Sequence, residues 1–170
     1  MIGNEAASCH DGGRTAVGAA ELASFGGTDL DDQRSIEEVA RRAADVVGGL
    51  WWRSAGGPPV IVVAARAHGR SSTARWSSRP TSASCVEIRL ARGQRDIATL
   101  AHELAHGLAG IEHGHDERFR AAEIDVLTVL AGEAQGQSLA ACFDSFALAI
   151  GPRMWPVPGP VVGDTFVLRR

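Results

Sequence analysis

The sequence predicts one α+β domain in which helices precede and follow a small sheet. A stretch with apolar residues at helical spacing comes first (33–48). Short β-branched or alternating runs follow between residues 60 and 90, and three more helical stretches lie between 94 and 150. The chain has 170 residues, 45% of them hydrophobic, which is enough to bury one core.

The ends of the chain differ in composition from the middle. Residues 1–32 are rich in Gly, Ala, Ser and acidic residues and lack periodicity, so we expect a mostly disordered N-terminal tail with a short helical piece near 16–24. Residues 33–150 form the predicted domain. Residues 151–170 are rich in proline and predict a C-terminal tail.

The first predicted helix spans 33–48. Apolar side chains recur there three, four and seven positions apart, and Gly48 and Gly49 stop the pattern. The other face carries glutamates that are followed four residues later by arginines, which is typical of a solvated helix surface.

Three strands are predicted next. Residues 60–64 are a β-branched run, 73–76 form a weaker strand, and 85–90 alternate apolar and polar side chains with period two. Because these runs follow one another closely, we expect a small three-stranded, mainly antiparallel sheet made of hairpins or a meander.

The helix predicted from about 94 to 109 carries the most informative motif of the chain, His102-Glu103-Leu-Ala-His106. Residues four apart lie on one helical face, so both histidines can bind one metal ion. Glu103 lies beside the first histidine, where it can take a proton from a water on that ion. Two more helices are expected afterwards, one from an N-cap at Asp116 to Gly132 and one over 138–150.

Two histidines do not complete a catalytic zinc site, which has three protein ligands and a water. The metzincin spacing is excluded, because it would need Gly and His where the chain has Ala109 and Glu112. Three candidates stay open for the third ligand: His115, His113 and Glu123.

The segment from His102 to Phe119 resembles the SprT-like metallopeptidases. These proteins have an HExxH helix, a loop, and then a Gly-His segment followed by an aromatic residue, here Gly114-His115 and Phe119. Small actinobacterial metallohydrolases have a similar motif layout. The resemblance implies a compact zincin-like core of minimal gluzincin type, a bound Zn²⁺, and His102, His106 and His115 as its ligands.

The sequence therefore predicts a zinc-dependent hydrolase, and in particular a metallopeptidase that acts on a peptide or protein. Glu103 would activate the zinc-bound water and pass its proton to the leaving amine. The chain has no Tyr to stabilise the oxyanion, which leaves His68, Arg70 or another arginine. Strand 85–90 could offer its edge to an extended peptide.

An arginine-rich stretch supports an alternative function. Between residues 66 and 95 there are seven arginines and one acid, Glu87. The alternative is a zinc-stabilised or catalytically degenerate module that binds a peptide or a nucleic acid through an Arg-rich sheet. The net charge of −3 does not favour nucleic acid overall, and the C-terminal cysteine ribbon of many SprT-like proteins is absent.

The remaining features of the sequence indicate in which cellular compartment the protein is expected. No stretch approaches the 18 or so apolar residues of a membrane span, and no secretory signal is visible, so we expect a cytoplasmic protein without a membrane partner. Three isolated cysteines argue against a disulfide framework.

Overall fold

The computed structural model describes residues 13–67, 69, 71–77 and 84–159, and the backbone of 161–162 and 165–166. This part of the chain contains six α-helices, a three-stranded sheet and a small two-stranded ladder, which confirms the α+β class. The elements are α1 (Arg14–Phe25), α2 (Ile36–Gly48), α3 (Leu50–Ser54), β1 (Val60–Ala64), β2 (Thr73–Trp76), β3 (Val86–Leu90), α4 (Ile97–Ala109), α5 (Glu117–Ala131), α6 (Glu133–Ser145), β4 (Val161–Val162) and β5 (Thr165–Phe166). None of the helices described is long and apolar enough to cross a bilayer.

The three-stranded sheet has the order β1-β3-β2, with β1 parallel and β2 antiparallel to β3. The prediction of a mainly antiparallel hairpin or meander sheet is therefore wrong, because the sheet is mixed. Strands β1 and β2 lie on opposite sides of β3, so β3 is the central strand. Val86, Ile88 and Leu90 are fully buried there. Since both edges of β3 are paired, β3 cannot offer an edge to a peptide, as the sequence analysis had expected.

Helix α4 lies in the core and packs mainly against α5. Asp96 caps its start by accepting a hydrogen bond from the Thr99 N–H at 2.7 Å. Most of its side chains are buried; the apolar ones are Ile97, Leu100, Ala101, Leu104, Ala105, Leu108 and Ala109. A helix enclosed on most sides holds its polar side chains in fixed positions.

Asp116 is the N-cap of α5, as predicted, and accepts hydrogen bonds from the N–H groups of Arg118 and Phe119 at 2.9 Å each. Helix α6 begins immediately after Gly132, five residues earlier than expected. Gly136 is the reason that the early start was missed, since glycine argues against a helix interior. In the structure it allows close contact with α5, because a Cβ at Gly136 would lie 2.0 Å from Thr128 Oγ1.

Residues 14–31 contain a helix and a 3-10 turn, whereas the sequence predicts mostly disorder up to residue 32. Helix α1 is longer than the expected helical piece and buries Val17, Ala20 and Phe25. A short 3-10 turn at Asp29–Asp31 follows and buries Leu30. Small residues on the buried face of α1 make its apolar periodicity hard to recognise in the sequence. Residues 1–12 of the expected tail lie outside the described residues.

The first part of the expected C-terminal tail packs against the domain. Trp155 is buried and donates its Nε1–H to Asp125 Oδ2 at 2.9 Å. Arg153 donates to the same oxygen at 2.7 Å, and Trp51 donates to the Pro156 carbonyl at 2.8 Å. This segment therefore covers one side of α5.

Candidate metal centre

Three imidazoles meet at one point of the structure. His102 and His106 lie one turn apart on α4, and His115 comes from the loop between α4 and α5. One nitrogen from each ring lies within 4.8 Å of the others, and the ring centroids are 4.9–5.0 Å apart in each pair. The Nε2 atoms of His102 and His115 are 3.1 Å apart. The fold thus brings together the three histidines that the sequence predicts as metal ligands.

The loop that carries His115 is fixed by glycines and by an arginine. Gly110 ends α4 at φ 106°, and Gly114 has φ 57° directly before His115; other residues rarely adopt such values. The Arg120 guanidinium donates to the His115 carbonyl oxygen and to that of Ala149, both at 2.6 Å. These contacts hold the His115 backbone against α5.

Phe119 forms the floor of the three-histidine group. Its ring is fully buried and lies 4.4–4.9 Å from the centroids of all three imidazoles. Edge and tilted ring contacts of this kind are favourable. The aromatic residue of the motif therefore limits how far any of the three imidazoles can tilt.

The two rival third ligands lie elsewhere. The Nδ1 atom of His113 contacts Asp116 Oδ2 at 2.9 Å, so that ring is directed to the start of α5. Glu123 is completely buried on the other side of His102, with Oε1 3.8 Å from His102 Nδ1. It groups with His102 and Glu21, and not with His106 or His115.

Glu21 of α1 is a site residue that the sequence analysis missed. Its Oε1 lies 2.5 Å from Nδ1 of His102. This contact favours the tautomer that has its proton on Nδ1, in which the Nε2 lone pair is directed at His115. Burial lowers the pKa of His102, but the contact with Glu21 outweighs it and raises the pKa above its ordinary value.

Glu21 and Glu123 bring two carboxyl groups close to His102, with ligand atoms of the three residues within 4.8 Å of one another. Burial raises the pKa of Glu123 well above its ordinary value, and the Glu21 charge raises it further. Burial also raises the pKa of Glu21, but hydrogen bonds from Glu123 and His102 outweigh this and lower it to about 2. Both Glu123 oxygens are buried without a hydrogen-bond partner among the described residues. Protonated Glu123 can therefore donate to ionised Glu21, which in turn faces His102.

Glu103 is buried at the edge of a cleft of about 190 Å³ that all three histidines line. Burial raises its pKa to about 7, although His102, Arg14 and a hydrogen bond from the Ala74 N–H act in the opposite direction. Ala74 belongs to β2, which is an edge strand of the sheet. The carboxyl group is thus held between α4 and the sheet edge, next to the imidazoles.

The spacing of the three imidazoles fits a single metal ion. Nitrogen ligands about 2.0–2.1 Å from a tetrahedral ion lie about 3.3 Å from one another, close to the 3.1 Å between His102 and His115. All three imidazoles line the cleft. Imidazole binds zinc, copper, iron and nickel, so the three histidines could hold one such ion.

Arg14 brings a positive charge to the cleft, whereas the sequence predicts an oxyanion donor at His68, Arg70 or another arginine. It lines the cleft together with His102 and Glu103, and its guanidinium has five N–H donors for an oxygen bound there. His68 and Arg70, the donors considered from the sequence, lie outside the described residues. Nothing in the sequence pattern linked Arg14 to α4, because the two are joined only by the packing of α1.

Two arginines of the arginine-rich stretch contact the same carboxylate within the sheet. Arg75 and Arg89 contact Glu87 Oε1 at 3.1 and 2.6 Å. These ion pairs lower the pKa of Glu87, with Arg89 giving the largest contribution. Glu87, the one acid of the stretch, therefore compensates one of these two positive charges within the sheet.

Comparison with known proteins identifies no relative of the chain. No protein-family model, no curated protein and no solved structure matches the chain. The likeness to SprT-like metallopeptidases consequently depends on the motif residues alone.

Replacing Glu21 with alanine is expected to lower zinc affinity by about 10- to 100-fold, the usual cost of removing the partner that orients a ligating histidine. Competition with a chromogenic chelator measures it. Glu37→Ala, at an exposed position of α2, is the matched control and should leave the affinity unchanged. Equal affinities for the two variants would show that Glu21 does not orient His102.

Proposed function

We propose that the protein is a zinc-dependent metallopeptidase with an SprT-like arrangement of its site. One observation carries the proposal: His102, His106 and His115 converge beside Glu103 in an open cleft. A structural zinc site has four protein ligands and no open position, and it needs no carboxylate base beside it. Three ligands, an open side and a neighbouring carboxylate favour hydrolysis.

A bound zinc ion would lower the pKa of its water toward about 7 and polarise a substrate carbonyl. Glu103 lines the same cleft as the three imidazoles, where it would take the proton from the attacking water. It then gives that proton to the leaving amine. Glu21 keeps the His102 ring oriented throughout, and the Arg14 guanidinium can donate to the oxyanion.

The position of β2 favours an extended peptide as substrate. Thr73 and Ala74 of this edge strand line the same cleft as the three histidines. A peptide that pairs with such an edge presents its carbonyl groups at regular spacing along the cleft. This supports an amide bond within a peptide over a small isolated amide.

The test combines metal content with turnover. Purified protein reconstituted with zinc should retain about one ion per chain after dialysis and cleave unstructured peptides, and a chelator should abolish cleavage until zinc is restored. A triple His102→Ala, His106→Ala, His115→Ala variant controls for contaminating peptidases. Zinc below about 0.1 per chain, or cleavage that the triple variant keeps, would contradict the proposal.

A further inference from the structure

A second group of potential metal ligands lies on the other side of the His102 ring. Glu21 of α1, His102 of α4 and Glu123 of α5 bring one ligand atom each within 4.8 Å of one another. Oε1 of Glu21 lies 2.5 Å from His102 Nδ1, and Oε1 of Glu123 lies 3.8 Å from the same nitrogen. Only His102 belongs also to the three-histidine group, so the two groups define two different positions for an ion.

Glu123 is an acidic side chain whose burial calls for a ligand. It is completely buried, and neither of its carboxyl oxygens has a hydrogen-bond partner among the described residues. A buried carboxyl group is costly unless it is paired or coordinates a metal ion. A single proton satisfies only one of the two oxygens, whereas a metal ion can bind both. The position of Glu123 therefore favours a cation between it, Glu21 and His102.

The His102 imidazole can bind two ions because its two nitrogens face different neighbours. Nε2 lies 3.1 Å from His115 Nε2, whereas Nδ1 faces the carboxyl groups of Glu21 and Glu123. When an ion binds at Nδ1, the proton of that nitrogen leaves to solvent and the ring bridges two ions as an imidazolate. The second ion binds more weakly than the first, because it must displace this proton and adds a positive charge near the first ion.

The geometry around Nδ1 suits an ion of the size of zinc. Nitrogen and oxygen ligands about 2.0–2.2 Å from a tetrahedral zinc ion lie about 3.3 Å from one another. The distances of 2.5 and 3.8 Å from His102 Nδ1 to Glu21 and Glu123 lie on either side of this value, so small side-chain shifts would admit the ion. Glu21 and His102 also line a cavity of about 390 Å³, through which an ion and its water ligands can enter. Among the described residues that line this cavity, carboxyl groups outnumber arginines, which favours a cation.

We propose that Glu21, His102 and Glu123 form a second metal site for a divalent transition-metal ion such as zinc, and that His102 bridges this ion to the one held by the three histidines. Carboxylate oxygens and an imidazole nitrogen are both ligands that zinc accepts. Each ligand comes from a different helix, so the second ion joins α1 to α4 and α5. Metal binding at this site requires no peptide hydrolysis and therefore goes beyond the proposed function.

Zinc uptake by variants that lack one site at a time provides the test. In equilibrium dialysis against rising free zinc, the unmodified protein should take up about one ion and then a second, whereas Glu123→Gln should stop at about one. A His106→Ala, His115→Ala double variant should also take up about one ion, held by the group around Glu123. Glu117→Gln is the matched control, the same change at an exposed position of α5, and should take up about two. Circular dichroism shows whether each variant keeps its helices.

Copper binding tests the His102 bridge in the unmodified protein, without any substitution. Two Cu²⁺ ions joined by an imidazolate couple magnetically, so the electron paramagnetic resonance intensity per copper should fall as the second ion enters. Full intensity with both ions bound would overturn the bridge.

Three results of the zinc experiment would overturn the second site: uptake of a single ion by the unmodified protein, uptake of two ions by Glu123→Gln, or no uptake by the double histidine variant. Loss of both ions from a folded Glu123→Gln protein would also overturn it, because Glu123 would then be a ligand of the first ion. If two ions bind as expected while no peptide is cleaved, the second site is correct and the hydrolytic function is wrong.

Discussion

Substituting His115 with alanine is expected to lower zinc affinity by more than the roughly 100-fold that losing an orienting partner can cost. The reason is geometric: His115 Nε2 lies 3.1 Å from His102 Nε2, so it supplies one of the three nitrogens around the metal position. Only two protein ligands would remain, both on one turn of α4. Competition with a chelator of known affinity, followed by elemental analysis of the dialysed protein, measures the change.

His113→Ala is the matched control, since it removes the neighbouring imidazole two residues away. His113 contacts Asp116 and not the other histidines, so the variant should bind zinc as tightly as the unmodified protein. Circular dichroism shows whether each variant keeps its helices. If His113→Ala loses zinc and His115→Ala retains it, the third ligand has been assigned to the wrong histidine.

The motif side of the site could be predicted because its signals are local. Spacing on one helix relates His102 to His106, and the short loop before the Asp116 cap limits where His115 can lie. Each of these relations involves residues less than 15 positions apart. Local geometry therefore relates His102 to His106 before any tertiary packing is known, whereas it leaves His113 and Glu123 open beside His115 as third ligand.

The opposite wall of the site could not be predicted, because it depends on contacts between distant segments. Glu21 is 81 residues from His102, and its inward position on α1 looks like a polar interruption of an Ala- and Gly-rich stripe. A buried carboxyl group is costly without a partner, and the partners, His102 and Glu123, are known only once α1, α4 and α5 are packed together. Disorder was the natural interpretation of such a segment.

Strand order illustrates a similar limit. The run at 85–90 was recognised as a strand from its alternation, yet alternation does not show which strands flank it. Glu87 is a polar residue that is buried because β3 is the central strand. Its contacts with Arg75 and Arg89 make this burial possible. From the sequence alone those arginines suggested a charged surface.

Glu103→Gln is expected to lower kcat for peptide cleavage by about 10²- to 10⁴-fold, the usual contribution of general acid–base catalysis, with zinc affinity within a few-fold of the unmodified protein. Glutamine has the same shape and can still accept the Ala74 N–H, so the side chain should stay in place. It cannot take up a proton. Because Glu103 is not one of the three converging ligands, the metal should remain bound.

Zinc content and turnover must be measured on the same preparations, because a loss of both would indicate a disturbed site and not a missing base. Glu112→Gln is the control, an identical change at an exposed acid in the loop after α4 that should leave kcat unchanged. A zinc-loaded Glu103→Gln protein with full activity would refute the mechanism. If Glu103→Gln loses turnover while KM and zinc content are kept, the proton transfer belongs to Glu103, since binding of metal and substrate would both be intact.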